Sequence, residues 1–410
     1  MPTVRKPRRY LAGLDGPRGP LALVTTRTPL SAGPDGLLPD LTPDTLRVDP
    51  LERADTIPSS WYTDARLGPF EQRAVFRPSW QVVGHVSQVA NAGDYVCATV
   101  AGEPIIVVRG ADGEIRGFYN VCRHRGGPLA TDDHGACRML QCRYHGWTYT
   151  LDGALRGVPR FDRTELFDRA DFALVPVAVD VWEGLVWVCV GEPALPLAVT
   201  LDGIAERIAP QDLTGVRFHS RVEYAVACDW KVYVDNFLEG YHLPLVHPEL
   251  CKTLDVSAYV TETFERHSLQ HSPIRETPDG GVYGEGDAFY YFVFPNVMLN
   301  ILPGRLQTNV VLPDGPGRCR VLFDFFYADG TEAEQIAGDL AFSDAVQQED
   351  IEICEAVQRG LASRGYNRGR FSVECEAGVH HFQALLKRAV ADGIWNTGDP
   401  PAAPPGLRPA

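Results

Sequence analysis

Cys122-Arg123-His124 is followed, after seventeen intervening residues, by Cys142-Arg143-Tyr144-His145. Each short pair mixes a thiolate with an imidazole, which suits a two-iron, two-sulfide cluster with Cys122 and Cys142 on one iron and His124 and His145 on the other. Thiolate holds ferric iron firmly, while neutral imidazole raises the potential enough for the centre to accept an electron and pass it on. The alternative is structural zinc. Cys2His2 zinc motifs, however, usually set the two cysteines together and the two histidines together.

The next dense stretch runs Asp235-Asn236-Phe237-Leu238-Glu239-Gly240-Tyr241-His242-Leu243-Pro244-Leu245-Val246-His247. Two histidines with upstream acids suit non-haem iron(II), which takes two imidazoles and one carboxylate and leaves positions open for oxygen and substrate. The alternative is one buried, satisfied histidine and one surface histidine, but a redox centre upstream implies a destination for its electrons. On a straight helix a separation of five puts the side chains about 140° apart, so the helix must open or end between them. Pro244 supplies a reason. Asp235, Glu239 and His242 fall at i, i+4 and i+7, so on a helix they share a face, with carboxylates beside the first ligand. The carboxylate ligand itself is not identified by this stretch.

The elements that must position these groups change character along the chain. Residues 1–50 read as an irregular arm, and 51–79 as a helical segment in which Leu67, Phe70, Ala74 and Val75 form an apolar stripe ending near Pro78. Residues 80–195 break into short alternating segments, Gln81 to Val86, Asp94 to Val100, Glu103 to Arg109 and Arg116 to Asn120. That pattern is an all-β domain of hairpins from which the two Cys/His loops project. Residues 196–399 have longer strands, Phe218 to Val226 and Phe289 to Leu302, and a helix from about Thr331 to Ala362. Residues 400–410 are a frayed, Pro- and Ala-rich tail. The fold class is therefore α+β.

The net charge of −15 argues against nucleic acid or an anionic membrane as partner. No run reaches the ~18 apolar residues of a membrane span, and the N-terminus lacks a secretory core, so the expected location is the cytoplasm. Eight of the ten cysteines read as free or packed thiols. There is no nicotinamide or flavin motif, so electrons must come from a separate reductase.

Cys-x-His with Cys-x-x-His, then Asp-Asn-x-x-Glu-x-Tyr-His-x4-His and a long acidic helix, resembles the catalytic alpha subunit of a Rieske non-haem iron oxygenase over roughly residues 55 to 390. The resemblance implies a Rieske 2Fe–2S cluster and mononuclear non-haem Fe(II) as cofactors. It implies a catalytic domain of helix-grip type (START/SRPBCC-like), an antiparallel sheet around a long helix. It places the third iron ligand in a late helix, where Asp350 is the choice within Gln347-Gln348-Glu349-Asp350-Ile351-Glu352, with Glu349 and Glu352 on the solvated side. It implies a homotrimer in which an acidic residue, Asp235 or Glu239, bridges the cluster of one subunit and the iron of its neighbour, with Asn236 beside them. It also implies O2 and an NAD(P)H-dependent reductase of flavin or ferredoxin type. Glu239, where ring-hydroxylating dioxygenases usually carry Asp, resembles the branch acting on choline, glycine betaine, carnitine and stachydrine.

The expected reaction is hydroxylation or N-demethylation of a quaternary ammonium compound. Alternatives are an aromatic-ring dioxygenase or demethylase and, from another class, a Rieske-type electron carrier. Phe289 and Tyr291 in an aromatic strand are pocket candidates through cation–π attraction, although a sheet can equally use such aromatics for its core, and Tyr233, Tyr241, Asn296 and Asn300 are further pocket candidates.

Overall fold

The computed structural model describes residues 40–395 apart from 210, 212 and 277–280. Most of the expected N-terminal arm and the 400–410 tail lie outside the described residues.

The first sheet is seven-stranded and antiparallel, from Gln81–His85 at one edge to His134–Ala136 at the other. Its hairpins are tight. Ala101 and Gly102 both take positive φ, as do Glu183 and Gly184, the backbone that two-residue turns need to match strand twist. A three-stranded sheet of Leu140–Gln141, Thr148–Tyr149 and Leu155–Gly157 carries the second Cys/His loop between its first two strands.

The second sheet has seven antiparallel strands in the order Val216–Val226, Cys319–Ala328, Arg305–Pro313, Val297–Leu302, Asp287–Val293, His267–Pro273 and Val260–Thr263. The expected 289–302 strand is two strands. Phe294, Pro295 and Asn296 turn the chain between them, and proline has no N–H to donate to a ladder. Both faces of this sheet are buried. One face packs Met298, Phe292 and Phe323 against Phe382, Leu385 and Val390 of the last helix, Ala377–Trp395. The other packs Leu269, Tyr291 and Leu299 against Trp80 and Trp187 of the first sheet's unit. The long helix spans Ala333–Leu361, within two residues of expectation at each end.

The segment before the first sheet forms a helix over Leu67–Glu71 that continues as a π turn, Gln72–Phe76. Its Phe70, Val75 and Phe76 belong to the second sheet's core. An ion cluster fixes it there. Lys231 Nζ, fully buried, lies 2.7 Å from Glu71 and 2.7 Å from Asp229, and Trp230 Nε1 donates to the other Glu71 oxygen at 2.9 Å. No helix among the described residues is long and apolar enough to cross a membrane.

Candidate iron centres and substrate cavity

The two Cys/His loops have matching backbones. Gly126 N donates to Cys122 O at 3.0 Å and Gly146 N to Cys142 O at 2.9 Å, while each cysteine N–H reaches forward to a carbonyl, Gly127 O or Trp147 O. Both turns close through a left-handed glycine, Gly126 at φ +73° and Gly146 at +74°. The thiols of Cys122 and Cys142 are buried, and the two imidazole rings are 4.7 Å apart. His124 stacks on buried Trp147, the planes 6° apart, so Trp147 fixes the ring and shields it.

The unpaired atoms fit a cluster. His124 Nδ1 is buried without a hydrogen-bond partner, as a nitrogen reserved for metal would be. A Cβ on Gly127 would come within 3.0 Å of Cys142 Sγ. The Tyr149 hydroxyl lies 3.4 Å from Cys122 Sγ and accepts from Arg123 N at 3.0 Å, the kind of contact to cluster sulfur that tunes a potential.

In the second constellation the helix stops before Glu239 and His242, expected to share its face with Asp235. It runs Trp230–Phe237, capped by Asp229. His242 caps a four-residue turn of helix, Leu243–Val246, and His247 closes it, with Pro244 in the first turn where proline is tolerated. The chain is already off the helix before the first histidine, so Pro244 starts a helix rather than breaking one. The expected shared face of Asp235, Glu239 and His242 therefore does not exist.

The long helix brings Asp350 to the same place. One ligand atom each from His242, His247 and Asp350 lie within 4.8 Å of one another. Asp350 Oδ1 is 2.9 Å from His247 Nε2, 3.8 Å from His242 Nε2 and accepts from Asn236 Nδ2 at 2.6 Å. Each imidazole is backed by a carboxylate on Nδ1: Glu239 at 2.6 Å for His242 and Glu349 at 2.7 Å for His247. Both Nε2 atoms are thereby turned to one point, the geometry of a two-histidine, one-carboxylate site. Burial works against a charged His247, but Asp350 and Glu349 outweigh it and hold the pKa above its ordinary value. Glu349, expected on the solvated side, is the partner sequence reasoning missed; its place next to Asp350 on the helix was the available signal.

Asp235 faces elsewhere. It accepts from Tyr62 Oη at 2.5 Å and Gln383 Nε2 at 3.2 Å, joining the N-terminal segment to the last helix. Burial, opposed by those hydrogen bonds, raises its pKa to about 7. Of the two carboxylates considered as a bridge, Glu239 is the one that touches a histidine of the triad.

A cavity of about 120 Å³ opens from the triad along the long helix. Tyr233 and Asn300 line it, as expected, and Tyr233 Oη donates to Gln347 at 2.6 Å. Phe289 and Tyr291 do not line it: strand alternation turns them to the sheet's other face, and Tyr290 points in instead. Asn296 sits in the buried turn, donating to Val311 O, and Tyr241 is 62% exposed. Tyr259 and Tyr283 complete the aromatic wall.

Two family models match this chain: the Rieske 2Fe–2S domain over residues 79–174 and the ring hydroxylating alpha subunit, catalytic domain, over 213–392. The chain belongs to the Rieske non-haem iron oxygenases; it is an oxygenase subunit that uses a 2Fe–2S cluster and mononuclear iron and depends on a reductase for electrons. Among its relatives is the chloroplastic choline monooxygenase of Arabidopsis thaliana, 37% identical over 358 residues, covering 82% of this chain and 83% of that protein. The carnitine monooxygenase oxygenase subunit of Escherichia coli (strain K12) is 31% identical over 87% of this chain and 99% of its own. The crystal structure of the quaternary ammonium Rieske monooxygenase CntA with L-carnitine superposes with a TM-score of 0.74 at 30% identity, covering 82% of this chain and 96% of that one.

Proposed function

We propose that this oxygenase oxidises a quaternary ammonium compound at an N-methyl group. The observation that carries the reading is the cavity itself, which reaches the triad and is lined by the phenol side chains of Tyr259, Tyr283 and Tyr290, a ring type that attracts a trialkylammonium by about 0.5–2 kcal/mol each. The relatives named above act on choline and carnitine, which is consistent with it.

In this reading Cys122, His124, Cys142 and His145 hold the cluster, and His242, His247 and Asp350 hold iron. Once bound, the cluster would supply single electrons and the iron would supply O2 activation for insertion of one oxygen atom into a C–H bond. The chain's own residues do the rest. Glu239 and Glu349 orient the imidazoles, and Asn236 fixes the Asp350 oxygen. The tyrosine wall holds the cation so that a methyl group faces the triad. The N-methyl ammonium substrate, with O2, two electrons and two protons, gives the N-hydroxymethyl ammonium and water. That carbinolamine loses its hydroxyl proton and breaks the bond from nitrogen to the hydroxymethyl carbon, and the bonding pair stays on nitrogen to release a tertiary amine and formaldehyde.

The reading includes a homotrimer in which Glu239, 2.6 Å from His242 Nδ1, links that histidine to a neighbouring subunit's cluster, with an NAD(P)H-dependent reductase supplying the electrons. The domain division that goes with this is a cluster unit at 80–195 and a catalytic unit at 196–399 completed by 51–79. The test is reductase-coupled turnover of trimethylammonium compounds and simple aromatic acids, recording oxygen uptake and formaldehyde together. Formaldehyde matching oxygen, lost in His242→Ala, is expected; oxygen uptake coupled to aromatic substrates alone would overturn the reading.

A further inference from the structure

The long helix presents Asp339, Ser343, Val346, Gln347 and Asp350 to the cavity, a spacing of 4, 3, 1 and 3 that keeps one helical face along its whole length. Asp339 and Asp350 are eleven residues apart, so about 16 Å of helix separates the two ends. One end is the triad. The other is occupied by Arg305, which pairs with Asp339 and lies 4.5 Å from the centre of the Tyr283 ring.

The two charges at this end are not equally available. Asp339 is 5% exposed, and its oxygens are both engaged, Oδ1 by Arg305 and Oδ2 by the Tyr327 hydroxyl at 2.7 Å. A guanidinium carries five N–H donors and no acceptor, so one carboxylate oxygen and the Tyr283 hydroxyl still leave donors for another partner. Between the ends, Ser343 donates to Gln307 and Gln307 to Asn309, so these groups satisfy one another. Gln347 does not: its Oε1 takes the Tyr233 hydroxyl, and its Nε2, on a side chain 1% exposed, has no partner. The unsatisfied groups thus include donors, of which Arg305 is the charged one.

We infer that Arg305 is the anion-binding end of the cavity and takes the carboxylate of a zwitterionic quaternary amine, with Gln347 as a further donor along the way. This rests on the proposed oxidation of a quaternary amine and narrows it. A carboxylate held at Arg305 leaves the trimethylammonium at the triad, so the oxidised carbon is an N-methyl. An alcohol such as choline offers the guanidinium no anion.

The test compares three probes in reductase-coupled turnover: γ-butyrobetaine, its methyl ester, which keeps the cation and removes the anion, and choline. The wild-type protein is expected to show a KM for the ester at least about 10-fold above that for the zwitterion, because a charge-assisted, bidentate contact is lost. In Arg305→Gln combined with Asp339→Asn, which removes both charges and leaves no lone buried ion, KM for the zwitterion rises about 10- to 100-fold and the ester's rises by far less. Arg305→Lys recovers part of the loss. Equal KM values for zwitterion and ester in the wild type, or an equal loss for both in the double variant, would overturn the assignment. If the double variant does not fold, the wild-type comparison still decides. Turnover of choline in preference to both other probes would overturn this inference and leave the quaternary-amine reading standing, whereas no turnover of any of the three overturns both.

Discussion

Replacing Glu349 by alanine tests whether the carboxylate behind His247 matters for metal. Its oxygen is 2.7 Å from His247 Nδ1. The imidazole is 1% exposed, so without Glu349 that nitrogen is orphaned and the ring loses what turns Nε2 toward Asp350. A hydrogen bond to a charged group contributes about 1.5–3 kcal/mol. The Glu349 side chain is 40% exposed, and water screens its charge, which puts the effect at the lower end, about 1.5–2 kcal/mol. That corresponds to a roughly 10- to 30-fold loss of affinity, within the range usual for groups that orient metal ligands. The assay is anaerobic Fe(II) titration of protein stripped of mononuclear iron with its cluster retained, and the cluster's visible absorbance reports that the fold is intact. Glu349→Gln should fall between, since it keeps an acceptor without the charge, and Glu352→Ala, on an exposed position of the same helix, should bind like the wild type. Affinity within threefold of wild type in Glu349→Ala would refute the reasoning, and so would an equal loss in Glu352→Ala.

Lys231→Met should cost about 3–5 kcal/mol of stability, because it leaves Glu71 and Asp229 buried without their cation; urea unfolding measures it. Gly127→Ala should leave cluster content well below stoichiometric in an iron and acid-labile sulfide assay, because the added methyl meets Cys142 Sγ at 3.0 Å. Asp235 has a folded pKa raised from 3.8 to about 7, so its stabilising contribution is full below the unfolded value and is lost as pH rises through 7. Asp235→Asn, which keeps an acceptor for Tyr62, should therefore gain on the wild type by about 2–3 kcal/mol between pH 5 and pH 8, read from urea midpoints at the two values; a gap that does not widen with pH contradicts this.

What was legible in the sequence was what local spacing encodes. The cluster loops are short and each folds on its own residues, so types and intervals were enough to single out Cys122, His124, Cys142 and His145, whose imidazoles the fold brings within 4.7 Å. His242 and His247 were found the same way, but the path between them was not: the helix stops at Phe237, and nothing in the apolar pattern marks that end. Asp350 came from resemblance, since a ligand more than a hundred residues away leaves no local trace. The cavity was the least legible part. The strand Asp287–Val293 lies in a sheet buried on both faces and is apolar or aromatic at every position from 288 to 293, so hydropathy cannot say which way Tyr290 and Tyr291 point. A one-residue error in that choice moves the whole candidate set to the wrong face.

The way the chain enters and leaves the cluster-bearing sheet has a consequence for modularity. Gly191 N donates to Arg77 O at 2.8 Å and Ala194 N to Pro78 O at 3.0 Å, so the polypeptide departs and returns through one doorway. The segment before that doorway is fastened by Glu71 into the core that the helix Trp230–Phe237 shares. Residues 80–190 are thus an excursion from a body whose own chain is discontinuous. A fragment starting at residue 80 would discard part of the catalytic body. A transplant that exchanges the excursion for another electron-relay module need only match two neighbouring strand ends and the face that meets Trp80 and Trp187.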